Sequence, residues 1–118
     1  MLEHLINPLE VLKKTKRYLK QNGLIIISIP NIAFIQQRFF LLFGKFDYNP
    51  NGGIMDETHL RFFTRRSIEK LCKDAGYTIV KFYSYNLVKN RFFFLRPLAK
   101  IWPSLFALQF LIRLKNEK

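Results

Sequence analysis

NGLIIISIP, residues 22–30, sets a turn residue pair directly before a run of isoleucines that ends in proline. An unbroken apolar run of this length, without alternation, predicts a strand covered on both faces, as in an α/β sheet. The segment before it, "NPLEVLKKTKRYLKQNG" (residues 7–23), predicts a helix. Asn7 is a good N-cap, Pro8 suits the first helical position, and Glu10 stands at capping-box spacing. Leu5, Leu9, Leu12 and Leu19, flanked by Val11 and Tyr18, make its apolar stripe. The lysines and Arg17 lie off that stripe on a solvated face, and Gly23 is expected to stop the helix in the left-handed conformation. Helix, glycine and buried strand in succession indicate an α/β fold.

Downstream, "NIAFIQQRFFLLFG" (31–44) has the length of a helix, with its phenylalanines expected in the core or lining a groove. "KFDYNPNGGIMDET" (45–58) is a loop rich in turn dipeptides, and a loop this long in a small domain is usually functional. Thr64 then caps a helix whose Ile68, Leu71, Cys72 and Ala75 recur at i, i+3, i+4 and i+7, with Gly76 after it. Cys72 lies on that stripe and reads as a small core residue, not a nucleophile. Further strands are expected near 77–86 and 105–114, with a short proline-interrupted helix over 91–102 between them. No segment repeats and none is low-complexity.

The chain has 118 residues, enough for one domain with a real core. Its formal charge of +12 suggests an anionic partner. Only residues 24–60 are net negative, so the basic surface lies elsewhere. One cysteine excludes an internal disulfide and fits a reducing compartment. The N-terminus lacks the basic start and apolar core of a signal peptide. The longest uncharged runs, 24–37 and 101–112, contain proline and fall short of the roughly 20 residues of a spanning helix. A cytoplasmic protein is expected, with peripheral membrane contact left open.

"GIMDETHLRFFTRRS" (53–67) concentrates the candidate chemistry. As a metal site, Asp56, Glu57 and His59 lack a firm fourth ligand, and no metal is expected. As an acid/base site, His59 offers an imidazole that can take a proton from an attacking hydroxyl. On the structural reading, Asp56 and His59 hold the loop while Leu60, Phe62 and Phe63 enter the core. Arg65 and Arg66 fall in a first helical turn, where the macrodipole disfavours cations. They are exposed, or they hold an anion.

In this order, "LEHLINPLEVLKKTKRYLKQNG", "IISIPN", "GIMDETHLRFFT", "LCKDAGY" and "LFALQFLI" resemble the C-terminal half of class I S-adenosylmethionine-dependent methyltransferases. The branch resembled is found with sugar and cell-surface polysaccharide pathways. The resemblance covers essentially the whole chain. It implies a partial Rossmann-like sheet made of the last three strands, with the final strand between the other two and antiparallel to both. It implies S-adenosylmethionine as cofactor, with Glu3 and His4 at the pocket rim. It assigns catalysis to His59 oriented by Asp56, and contacts with a small-molecule or sugar- or lipid-linked acceptor to Tyr48, Arg65 and Arg66. The family's Gly-rich turn is missing: none of Gly23, Gly44, Gly52, Gly53 and Gly76 forms G-x-G after a strand. Residues 1–118 are therefore expected to be a single partial domain, the substrate-side half, lacking the N-terminal cofactor half and inactive without it. That half would be its partner. The competing reading is a non-enzymatic basic module on nucleic acid or an anionic membrane. The negative charge of the 53–60 stretch speaks against nucleic acid there.

Overall fold

The computed structural model describes residues 1–85, 94 and 96–117. Its elements are a 3-10 turn at Leu2–His4, helix α1 (Pro8–Thr15), strand β1 (Leu24–Pro30), helix α2 (Ile35–Leu42), helix α3 (Arg65–Asp74), strand β2 (Tyr77–Tyr85), short helices α4 (Arg96–Ile101) and α5 (Pro103–Phe106), and strand β3 (Gln109–Asn116). The three strands form one sheet in the order β1-β3-β2, and β3 is antiparallel to both neighbours. The expected placement of the last strand holds.

α1 starts as its sequence dictates. The Asn7 side chain accepts from the Glu10 amide at 3.2 Å, and Pro8 occupies the first turn. Glu10 turns outward to pair with Lys14 at 2.8 Å. The helix is shorter than expected: α-helical bonding ends at Thr15 and a 3-10 turn covers Lys16–Tyr18. Gly23 is not the left-handed residue. Asn22 holds φ +61, a conformation Asn tolerates, while Gly23 is needed for space, because a Cβ there would meet the Lys20 carbonyl at 2.8 Å.

The core lies on one face of the sheet. Ile27 and Ile29 of β1, Phe110, Ile112 and Leu114 of β3, and Tyr77 of β2 pack beneath Leu12 of α1 and Ile68, Cys72 and Ala75 of α3. Thr15 and Tyr77 close the far end with a 2.7 Å hydroxyl bond. α3 carries a full capping box between Thr64 and Ser67, and Gly76 leaves it at φ +80.

The opposite sheet face corrects the reading of β1 as doubly covered. Leu24, Ile26 and Ser28 are exposed, Ile26 to 63%, and across the sheet so are Leu111 and Tyr83. An all-apolar run need not be buried on both sides within this chain. Phe39 and Phe40 of α2 and the adjoining Phe43 are likewise exposed and enter no core, although Phe39 and Phe40 line surface depressions as the groove alternative expected. Phe63 is buried and Phe62 partly so, whereas Leu60 faces solvent. The third strand begins at Gln109, four residues later than expected, because Pro103 starts a helical turn. Of the helix expected over 91–102, residues 91–93 and 95 lie outside the described residues. α4 accounts for the remainder up to Ile101, with Trp102 as the N-cap of α5.

Three sequence-distant pieces are sewn together at the C-terminal end of β1. The buried Asn31 donates to the carbonyls of Ser104 (2.9 Å) and Ala107 (2.8 Å) and accepts from the Ala33 amide. The Ile32 amide donates to Phe63 O, and the amides of Leu60 and Arg61 both donate to Glu3 O. The Glu3-His4 turn, the "IPN" end of β1 and the "HLRFF" segment thus meet.

Candidate functional site

Loop 45–58 folds on itself by backbone bonds. Asn49 donates to Met55 O at 2.7 Å and its carbonyl accepts from Gly52 and Glu57. Gly52 and Gly53, at φ +99 and +85, turn the chain back where a side chain would strain it. This return brings Asp56, Thr58 and His59 over the Glu3-His4 turn.

His59 is buried. Its Nδ1 lies 2.9 Å from Ile54 O, and a carbonyl can only accept, so Nδ1 carries the hydrogen and Nε2 keeps its lone pair. His4 repeats the arrangement, with Nδ1 3.1 Å from both Thr58 O and Thr58 Oγ1. The two rings meet edge to face at 4.8 Å.

Asp56 does not hold the His59 ring. Its Oδ1 accepts from the Thr58 amide (2.8 Å) and the Thr58 hydroxyl (2.6 Å), and the bonds from Thr58 keep its carboxyl below its ordinary pKa. With that hydroxyl hydrogen on Asp56, Thr58 Oγ1 accepts from His4. Asp56 therefore orients His4 through Thr58, and the Ile54 carbonyl orients His59. Side-chain spacing could not reveal a backbone carbonyl in this role.

Glu3 is buried beside this pair, with Oε1 3.6 Å from His4 Nε2. Burial pushes its carboxyl up, but the Met1 ammonium, its own backbone amide and His4 outweigh that and lower it. Oε2 makes no aligned hydrogen bond, although the Met1 ammonium stands 2.8 Å away. Ligating atoms of Glu3, His4 and His59 lie within 4.8 Å of one another, so this trio, not Asp56 and Glu57, is the set that offers ligands to a divalent cation.

Two depressions adjoin these groups. One, about 290 Å³, is lined by Glu3, Asp56, His59 and Gln109. The other, about 570 Å³, runs between α2 and the loop and is lined by Gln36, Gln37, Phe40, Tyr48, Asn49 and Met55. They share Gly53, Ile54 and Leu108, and so form one groove with His59 at its inner end. Tyr48 is at the outer end, packed near Phe62. Gln37, a buried polar side chain, was not among the expected site residues. The Gln-Gln pair beside Arg38 in a helix whose other residues are all apolar was its signal.

The two arginines do not join this groove. Arg65 is paired with Glu69 at 3.0 Å, stacks over Phe82 and lines a separate depression with Tyr77. Arg66 is exposed on the first turn of α3. For the cofactor, the chain offers the buried Glu3 carboxylate, with the Met1 ammonium beside it, and a neighbouring imidazole. Among the described residues no glycine turn closes β1 or β2. The residues present fit the edge of a cofactor, not its main cradle.

Residues 1–81 match the family described as Methyltransferase domain. The fold is similar to that of a SAM-dependent methyltransferase from Archaeoglobus fulgidus, with TM-score 0.60 and 17% identity, covering 98% of this chain and 55% of that one. It is equally similar to a SAM-dependent methyltransferase from Thermotoga maritima, with TM-score 0.61 and 18% identity, covering 98% and 52%. The chain thus spans about half the length of these structures. A search of curated proteins finds no match.

Proposed function

Because this chain belongs to the methyltransferase-domain family, we propose that it forms the acceptor side of an S-adenosylmethionine-dependent methyltransferase. The groove between α2 and loop 45–58 holds a small hydroxyl-bearing acceptor, and His59 Nε2 takes the acceptor's proton. The observation that carries this reading is the Nδ1 bond from His59 to Ile54 O on a ring that lines the groove, an arrangement that in the neutral imidazole makes Nε2 the acceptor.

When bound, S-adenosylmethionine supplies a methyl carbon on a sulfonium and departs as S-adenosylhomocysteine. Glu3 and His4 meet its edge. His59 receives the hydrogen as the acceptor oxygen bonds the methyl carbon, so the oxygen never has to carry a full positive charge. Gln36, Gln37, Asn49 and Asp47 give the groove hydrogen-bonding groups from both walls, and Phe40 and Met55 add apolar surface to each. That mixture suits a polyhydroxylated ring with apolar faces, and supports a sugar-like acceptor. Tyr48 lies at its mouth. The main cofactor contacts come from a cofactor-binding half that pairs with this chain.

The test is methyl transfer from radiolabelled S-adenosylmethionine to a panel of sugar, amine and phenol acceptors, in an enzyme assembled with a cofactor-binding half. Transfer to sugar hydroxyls that collapses in His59→Ala supports the proposal. Transfer confined to amines, or indifferent to His59, would sink it.

A further inference from the structure

We propose that the outer face of α2, together with α4 and α5, docks this protein on an anionic lipid bilayer, lying at the surface without crossing it. The face is built by helical spacing. Gln36, Gln37 and Phe40 of α2 look into the groove described above, while Ile35, Arg38, Phe39 and Leu42, at i, i+3, i+4 and i+7, look away from it. With Leu105 of α5 these outer residues line a depression of about 360 Å³. The Arg38 guanidinium lies 5.9 Å from the Trp102 ring and donates to the carbonyls of Ala33 and Ser104, which joins α2 to the α4–α5 corner.

Large apolar side chains stand out from this surface. Leu42 is 74% exposed, Phe43 73%, Ile101 80% and Trp102 53%. Scattered exposed hydrophobes are ordinary, but this many on adjoining elements mark an interaction face.

Charge names the partner. α2 lies within residues 11–46 and α4 and α5 within residues 75–116, and neither stretch contains a single Asp or Glu. Among the described residues Arg38 and Lys100 form no ion pair with a carboxylate. Elsewhere three helical cations are balanced one turn away, in Glu10–Lys14, Arg65–Glu69 and Lys70–Asp74. An apolar face with aromatic anchors and cations free of carboxylates is what a bilayer with acidic headgroups selects: acyl chains take the Leu and Phe side chains, Trp sits at the boundary, and the cations meet phosphates. A nucleic acid would satisfy the cations but leave Leu42 and Ile101 in water. No described helix is long and apolar enough to span. Docking through this face sets the groove, on the other side of α2, at headgroup level.

Trp102 is the only tryptophan of the chain, so the surface carries its own reporter. The experiment follows Trp102 emission of the full chain on adding vesicles of phosphatidylcholine alone or mixed with phosphatidylglycerol, including brominated lipids. A blue shift with bromine quenching on the mixed vesicles is expected, weakened by salt. Partition should fall at least about tenfold in a Leu42→Ser/Phe43→Ser variant and in a Lys100→Glu variant, with unchanged circular dichroism. Tyr18→Ser, at an exposed position on the 3-10 turn after α1, should bind like the parent. Four results would overturn the proposal: no shift with anionic vesicles, equal binding to neutral ones, a response to single-stranded DNA alone, or emission already shifted in proportion to protein concentration. The last would assign the face to a second copy of the chain.

Discussion

The imidazoles of His4 and His59 meet edge to face at 4.8 Å, and each is pinned through Nδ1 to a backbone carbonyl of the same loop, Thr58 O and Ile54 O. The loop thereby fixes a hydrogen on Nδ1 of both rings, and His4 Nε2 comes within 3.6 Å of Glu3 Oε1. Fifty-five residues of sequence separate the histidines. The Glu3 carbonyl, accepting from Leu60 and Arg61, brings them together.

From this follows the behaviour of His59→Ala. General-base help is worth about 10²–10⁴ in rate. Turnover in the assembled enzyme should fall at least about tenfold, with cofactor affinity nearly unchanged. Thr58→Val should act differently, removing the hydroxyl link between Asp56 and His4 while leaving the bonds of His4 to the residue-58 carbonyl and of His59 to Ile54 O intact. Steady-state kinetics on both variants, with ring-nitrogen NMR to read the tautomers, checks the assignment.

Cofactor binding by the 118-residue chain alone should be weak or undetectable, because its residues reach only the edge of that ligand. Titration calorimetry with S-adenosylmethionine measures this directly. Micromolar affinity would mean that Glu3, His4 and the loop form a cradle of their own.

Asn31→Ala should destabilise the fold by at least about 2 kcal/mol, since it strands two carbonyls and an amide at a buried site. Ile112→Ala, at a fully buried position of β3, should cost about 2–5 kcal/mol. Leu111→Ala, one residue away on the open face, should cost far less. Urea unfolding of the three variants tests both the stitch and the one-sided core.

Burial, and to a lesser degree Glu69, pushes the Cys72 thiol up to about 11. The unfolded thiol ionises at lower pH than the folded one, so its contribution to stability is complete below the ordinary thiol pKa. It is lost as pH rises from that value toward 11. Alkylation should therefore be negligible in the native protein and prompt in urea. Cys72→Ala should flatten the alkaline limb of the stability profile.

Much of the fold was legible because local chemistry and tertiary packing agree. Asn7-Pro8 and Thr64 start helices where they should, Ile68 and Cys72 face the core, and β3 inserts between its neighbours. The failures share a cause. Ile26 and Phe43 are as apolar as Ile27 and Phe63, and composition cannot say which face a neighbour covers. Pro103 moved the start of β3 because a proline that ends one helix can also begin the next. In the site, His59 and Glu3 were readable as residue types. Their union was not, since it rests on the carbonyls of Glu3 and Ile54, which every residue possesses.

The middle strand of the sheet is the last one made. β1 is complete at Pro30 and β2 at Tyr85, yet among the described residues neither has a strand to bond until Gln109–Asn116 appears. During synthesis, seventy-eight residues separate the end of β1 from the beginning of this partner, and the described three-stranded sheet cannot assemble in their passage. Nearly every stabilising contact between strands is non-local, which predicts slow, all-or-none acquisition of structure. A nascent chain stalled before residue 109 should remain open to protease along β1 and β2 alike. Release of the final eight strand residues should protect both at once.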